Sequence, residues 1–278
     1  MKRIKISTNA TKLSVLFDEN KRTNNLVPIF LLHGFTGKAN DWNFLDKQLS
    51  AKYFLIKIDI LGHGKSDSPT EKTYYSEINL VKQLHSVINY FGFKKNILFG
   101  YSMGGRIALS YSLVYPEKIS ALILESASPG IENSFERQLR IEHDKNLAES
   151  IFDKGTNKFI RDWVNQPFFN SLKNIGSQKL LKIITERSLN NPVGLANILT
   201  EFGQGKMKSK WTELDKINFP IMLISGQLDK KYCEINKKAS KLFKNAELII
   251  IRDSGHNVHL EKEKEFVNFV GEFLIKHF

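Results

Sequence analysis

The stretch NILFGYSMGGRIAL, residues 96–109, leaves the chain few folding options. It opens as a short apolar strand and continues with helical spacing. Between the two, Gly100-Tyr101-Ser102-Met103-Gly104 fits G-x-S-x-G, a pattern that places a serine on a tight strand-to-helix turn at the edge of a sheet. The segments around it have the same character. LVPIFLLHG (26–34) is a continuous apolar run ending in glycine, as in a strand buried on both faces. YFLIKIDI (53–60), ISALILESA (119–127), FPIMLISG (219–226) and AELIIIRDSG (246–255) also read as strands. Helical spacing separates them over 41–50, 76–92, 103–118, 233–243 and from about Glu263 onward. Strand and helix alternate, so the class is α/β, with a mainly parallel central sheet flanked by helices. Arg3–Ser7 and Lys12–Asp18 add an N-terminal antiparallel hairpin.

The alternation stops after Pro129. From there to about Lys210 the chain offers helical stretches, FERQLRIEHDKNLAESIF and NKFIRDWVNQ, and no strand pattern. A helical insert between two strands of one sheet is expected to lie as a cap over the carboxyl edge, where open α/β sheets bind ligands. The expected division is a core of residues 1–129 and 211–278 and a cap of residues 130–210. A chain of 278 residues, 41% hydrophobic and 25% charged, can bury a core of that size. The net charge of +12 is spread along the chain without an aromatic–basic module, so nucleic acid is not an expected partner. The first reading of that charge is a solvated lysine-rich surface, and attraction of an anionic substrate is an alternative to it. With Cys233 as the single cysteine no internal disulfide can form, and a reducing cytoplasm is the expected compartment. The first residues lack the apolar run of a secretory leader, and nothing approaches the ~20 apolar residues of a membrane span. Oligomeric state is not legible.

A serine hydroxyl is a weak nucleophile or base until an adjacent imidazole activates it. His256, in SGHNVHLE, follows the last strand and precedes the last helix; His259 is its neighbour and competitor. His33 sits in the HGFTG turn, suited to a structural or oxyanion-supporting place. His63 lies in the loop DILGHGKSD, and His85, His143 and His277 read as helix-face residues. The acid that orients the imidazole is expected at Asp229, just after the penultimate strand, with Glu125 at the end of ALILE as the alternative. Asp253 lies too close to His256 for that task. The backbone N–H groups of Met103 and Phe35 are the expected oxyanion donors. Arg106 is harder to explain. It lies four residues past Ser102 and so shares its helix face. A cation there sits at the unfavourable end of the helix dipole and in half-buried surroundings.

The motifs LLHGFTG, DILGHGKSD, GYSMGG, GQLD and SGHNVHLE occur in the order of the α/β-hydrolases, which the chain resembles over nearly its whole length. HGFTG…W, GYSMGGRIAL, SPGIEN…ERQLR and RDWVNQPFF are similar more narrowly to the 2-succinyl-6-hydroxy-2,4-cyclohexadiene-1-carboxylate synthases of menaquinone biosynthesis. That resemblance implies elimination of pyruvate from 2-succinyl-5-enolpyruvyl-6-hydroxy-3-cyclohexene-1-carboxylate. It implies the triad serine as the proton-abstracting base and neither cofactor nor metal. It carries substrate binding onto Tyr101, Arg106, Arg137 and Trp163; Arg140 is not among them, but helical spacing puts it one turn beyond Arg137. A substrate with three carboxylates makes sense of Arg106, because guanidinium forks pair with carboxylates. Two other outcomes stay open from the residues: a serine carboxylesterase or carbon–carbon bond hydrolase using the same triad, and a non-catalytic binder. A haloalkane dehalogenase is not expected, since its nucleophile is an aspartate and position 102 is serine.

Overall fold

The computed structural model describes residues 1–23 and 25–278. Eight strands, β1 (Lys2–Thr8), β2 (Thr11–Phe17), β3 (Val27–Leu32), β4 (Tyr53–Ile58), β5 (Asn96–Tyr101), β6 (Ile119–Glu125), β7 (Ile221–Gly226) and β8 (Ala246–Ile251), form one sheet. Their order is β1-β2-β4-β3-β5-β6-β7-β8. The β1–β2 hairpin is antiparallel and joins β4 antiparallel; every later pairing is parallel. Strands β4, β5 and β7 are buried along their full length, because helices cover both faces of the sheet. Even Lys57, next to the last residue of β4, is fully buried; its ammonium reaches Asp46 at 2.6 Å and Asn43 at 2.8 Å.

The helices are α1 (Asp46–Leu49), α2 (Glu77–Phe91), α3 (Met103–Val114), α4 (Ser134–Val164), α5 (Ser177–Arg187), α6 (Pro192–Phe202), α7 (Lys230–Ser240), α8 (Val258–Glu261) and α9 (Glu263–His277). Two apolar cores lie on opposite faces of the sheet. Phe30, Leu98, Ile107 and Leu122 belong to one; Ile29, Phe99, Ile123 and Phe266 belong to the other. Adjacent residues of one strand fall in different cores, as the two-residue side-chain period requires.

Local chemistry explains the departures from the sequence reading. Residues 41–50 form mostly 3-10 helix, Ala39–Leu45, with only α1 after it. Helix α3 stops at Val114, not 118, because Pro116 cannot continue it; a 3-10 turn spans Pro116–Lys118. Helix α7 starts at Lys230, three residues earlier than its spacing suggests, since the Asp229 side chain caps it by accepting from the Tyr232 N–H at 3.3 Å. Strand β8 ends at Ile251, and Asp253 (φ 50°) turns the chain away.

Between β6 and β7 the described residues form helices and turns only. The two stretches read as separate helices are the two halves of α4, which is broken at Gly155, whose φ of 73° and ψ of 155° lie outside the helical region. This segment has its own apolar cluster, including Ile151, Phe159, Ile160, Trp163, Leu172 and Leu195. Its ends meet where the Lys210 N–H donates to the Pro129 carbonyl at 2.7 Å. No helix among the described residues is long and apolar enough to cross a membrane.

Candidate active site

Ser102 joins β5 to α3 in a strained conformation (φ 49°, ψ −106°). Its N–H donates to the Glu125 carbonyl at 2.8 Å, and its own carbonyl accepts from the Arg106 N–H at 3.1 Å, opening the helix. The turn is possible because α3 presses on β3: a Cβ on Gly104 would collide with the Leu32 carbonyl. Met103 is the first helical residue, so its N–H has no intrahelical acceptor and points out of the helix end.

The other two groups come from loops at the same sheet edge. His256 lies between β8 and α8, and its Nε2 is 3.1 Å from the Ser102 Oγ. Its Nδ1 is 2.6 Å from the Asp229 Oδ2. The Asp229 carboxylate can only accept, so Nδ1 donates and Nε2 is left to accept the serine proton. The same carboxylate caps α7 through its other oxygen, which holds it still while it orients the ring. Tyr101, Phe168 and Tyr232 pack around the imidazole with ring centroids 5.5, 5.4 and 4.7 Å away. Burial, together with the Glu125 charge, raises the Tyr101 phenol well above its ordinary range, so it stays neutral.

Above the serine, between the sheet edge and the α4–α6 segment, is a cavity of about 300 Å3. Ser102, His256, Phe35, Tyr101, Trp163 and Phe168 line it, together with four cationic side chains, Arg106, Arg140, Arg187 and Lys231. The lining carboxylate is Asp229, which His256 already engages. Arg106 is 7% exposed. Its Nη1 donates to the Phe202 carbonyl at 2.7 Å, and its guanidinium lies 4.6 Å from the Phe202 ring centroid. Among the described residues no carboxylate pairs with it. Burial lowers its pKa to about 10, which still leaves it cationic at neutral pH. Arg187, 6% exposed at the end of α5, has no ion pair or side-chain hydrogen bond among the described residues. Arg140 is held by Asp144 at 2.8 Å and Gln204 at 2.6 Å. The Trp163 Nε1–H is buried, unpartnered among the described residues, and belongs to a cavity-lining ring.

The α/β hydrolase fold family matches residues 27–263. A Bacillus subtilis (strain 168) protein that carries the name 2-succinyl-6-hydroxy-2,4-cyclohexadiene-1-carboxylate synthase is 40% identical over 246 residues, 88% of this chain and 89% of the relative. The Serratia proteamaculans (strain 568) synthase of that name is 27% identical, over 88% and 91%. The solved structure of MenH from S. aureus superposes with a TM-score of 0.90 at 30% identity, covering 95% of this chain and 98% of that one.

The chain belongs to the α/β-hydrolase family.

Within it, the chain groups with the 2-succinyl-6-hydroxy-2,4-cyclohexadiene-1-carboxylate synthases. Ser102, Asp229 and His256 meet as a hydrogen-bonded row, as their sequence order in this family suggests. Phe35, Met103, Tyr101, Arg106 and Trp163 all line the cavity. Arg137 is the exception, and the structure does not bring it to the cavity with the others. Its Nε donates to the Gly205 carbonyl at 2.8 Å, and it does not line the cavity. Residue 140, nearly one turn on, is the α4 arginine that turns inward. Sequence reasoning overlooked Arg187. Leu180, Ile184 and Arg187 follow i, i+4, i+7 spacing on α5, so the signal was a cation on an otherwise apolar stripe.

The remaining histidines have structural places. His33 accepts the Ile60 N–H at Nε2 (3.0 Å) and contacts the Gly34 carbonyl through Nδ1 (2.7 Å). His63 packs against it with ring centroids 5.1 Å apart, and burial plus that neighbour lower its pKa to about 3. His85 stacks on Tyr115, and His277 bonds Glu247. His143 is exposed on α4 at the cavity rim. Cys233 is buried, with its Sγ on the Gly226 carbonyl.

Proposed function

We propose that the chain is a lyase that eliminates pyruvate from 2-succinyl-5-enolpyruvyl-6-hydroxy-3-cyclohexene-1-carboxylate, giving 2-succinyl-6-hydroxy-2,4-cyclohexadiene-1-carboxylate in menaquinone biosynthesis. The observation that carries the reading is Arg106: a buried guanidinium one turn past a triad serine, facing the cavity with no carboxylate partner among the described residues. A neutral ester gives that cation nothing to pair with, and burying it unpaired is costly. A tricarboxylate pairs with Arg106 and Arg187 and draws further attraction from Arg140 and Lys231.

The chemistry follows from the triad. The ring carbon that bears the succinyl group is acidified by the adjacent ketone. Ser102 Oγ takes its proton while passing its own to His256 Nε2, and Asp229 stabilises the resulting imidazolium. The developing enolate oxygen is met by the Met103 and Phe35 N–H groups. The electron pair then shifts through the ring, the second double bond forms, and the carbon–oxygen bond to the enolpyruvyl group breaks. The leaving oxygen departs as the enolate of pyruvate and is protonated on carbon. No step calls for a cofactor or a metal. Tyr101 and Trp163 wall the ring site, and Trp163 Nε1–H is a free donor for a substrate oxygen. In this reading residues 130–210 are a cap over a core of 1–129 and 211–278, the substrate is a small polycarboxylate, and the setting is the cytoplasm, which suits a single buried thiol.

The deciding experiment is a coupled pyruvate-release assay on this substrate beside p-nitrophenyl acetate. The lyase reading expects pyruvate release to exceed ester turnover by orders of magnitude. The triad geometry by itself also favours a serine esterase, so fast ester turnover with no pyruvate release establishes that reading instead.

A further inference from the structure

Asn190 joins three elements that the reaction uses separately. It lies in the turn between α5 and α6 and is 7% exposed. Its Oδ1 accepts the Gly64 N–H at 2.9 Å. Its Nδ2 donates to the Thr36 carbonyl at 2.7 Å and to the Arg187 carbonyl at 3.0 Å. Its backbone N–H also donates to the Arg187 carbonyl, at 3.1 Å. One side chain therefore ties together the turn that presents the Phe35 N–H, the loop after β4, and the end of the helix that carries Arg187.

The carbonyl it holds belongs to a strained residue. Thr36 has φ 67°, a left-handed conformation that a β-branched residue keeps only where its surroundings impose it. Its own Oγ1 is buried with no partner among the described residues, so the side chain does not secure the turn. The turn closes through the Gly37 N–H on the Gly34 carbonyl at 3.0 Å, with Phe35 and Thr36 as its central pair. Relaxation at Thr36 re-aims both. The same corner is closely docked: a Cβ on Gly194 would collide with the Gly62 backbone, and Lys38 pairs with Glu186 at 3.1 Å.

We propose that Asn190 is a positioning residue that makes the aim of the Phe35 N–H depend on docking of the α5–α6 corner, and sets Arg187 in register with it. Asn190 touches no reacting atom. The oxyanion site is complete only when the segment that brings Arg187 is seated. The proposal rests on the roles given above to Phe35 and Arg187.

The test uses Asn190→Ala and Asn190→Asp. The aspartate keeps the size of the side chain and the acceptor for Gly64 N–H, but sets a carboxylate against the carbonyls of Thr36 and Arg187. Two rates are read well below each variant's melting temperature. The first is phosphonylation of Ser102 by a p-nitrophenyl alkylphosphonate, which needs the triad and the oxyanion donors but not the pathway substrate. The second is pyruvate release, resolved into kcat and KM. The expected result is a fall of about tenfold or more in phosphonylation and in kcat, with a rise in KM, for both variants. A merely structural residue lowers the melting temperature and leaves these rates at wild-type values, and that outcome overturns the proposal. If Asn190→Ala does not fold, Asn190→Asp decides alone. If the wild type releases no pyruvate while phosphonylation still responds to Asn190, the lyase reading fails and this one stands. If the wild type releases pyruvate and the variants are phosphonylated at its rate, this one fails alone.

Discussion

Glu125 accepts from the His259 ring, with Nδ1 2.9 and 2.8 Å from its two oxygens, and from the His259 backbone N–H at 3.1 Å. The two residues are essentially without solvent exposure, at 0% and 2%, and neither lines the cavity. They are the residues that compete, on sequence, with Asp229 and His256. The fold pairs them with each other. His259 is enclosed by Trp42, Phe44 and Tyr101, so the pair fastens α8, and with it the loop of His256, to the end of β6.

The two carboxylates should therefore separate by phenotype. Asp229→Asn is expected to lose roughly 10^3–10^4 in kcat, as when a triad acid no longer fixes the tautomer. Glu125→Gln should keep kcat within about threefold. Glu125→Ala should lower the melting temperature by about 5–10 °C, because it strands a buried imidazole. Steady-state pyruvate release and thermal melts measure all three. Loss of turnover in Glu125→Gln with retention in Asp229→Asn would invert the assignment.

Arg106 should matter for one substrate class only. Arg106→Met is expected to lower kcat/KM for pyruvate release by about 10- to 150-fold, the worth of a charge-assisted hydrogen bond. Turnover of p-nitrophenyl acetate should change by less than about threefold. Arg106→Lys should not restore the wild-type value, since an ammonium lacks the planar fork. Equal losses on both substrates would mean that Arg106 supports the serine turn rather than a carboxylate.

Trp163→Phe removes one donor and keeps an aromatic ring, though a smaller one, where Trp163 packs on Phe35 at 5.2 Å between centroids. The expected effect is a KM higher by roughly twofold to tenfold, with kcat little changed. A variant with an unaltered KM would show that the buried Nε1–H has no substrate partner.

His63 should make the fold sensitive to acid. Its pKa is about 3 in the folded chain, against an unfolded value near 6.5. Below pH ~6.5 the unfolded chain binds a proton that the folded chain refuses. The stability it contributes is thus complete above that pH and is lost as pH falls through the folded value, at up to ~1.4 kcal/mol per pH unit. His33, lowered in the same direction mainly by burial, adds to this loss. His63→Gln should be less stable at pH 7.5 but show a shallower decline in melting temperature between pH 6.5 and 4.5. Parallel declines in wild type and variant would place the acid sensitivity elsewhere.

The sheet was legible because its strands are contiguous apolar runs closed by glycine or a turn, and the serine turn because Gly100 and Gly104 act over five residues. The order Ser102, Asp229, His256 marked three residues that meet, since each follows a strand at the same edge. Local chemistry also explains the helix ends at Pro116 and Asp229, although the spacing by itself misplaced them.

The arginines were a different matter. Arg106 was legible because α3 begins at the serine, which sets its phase. Arg137 and Arg140 lie three residues apart on a helix whose rotation about its own axis depends on what it packs against. Arg187 lies in a turn-bounded helix whose distance from the serine no local pattern reports. By itself the sequence determined the fold and the serine's setting, which depend on neighbours along the chain. The tertiary structure decided which cations enter the cavity, because the phase and docking of α4 and α5 are set by contacts between residues far apart in sequence.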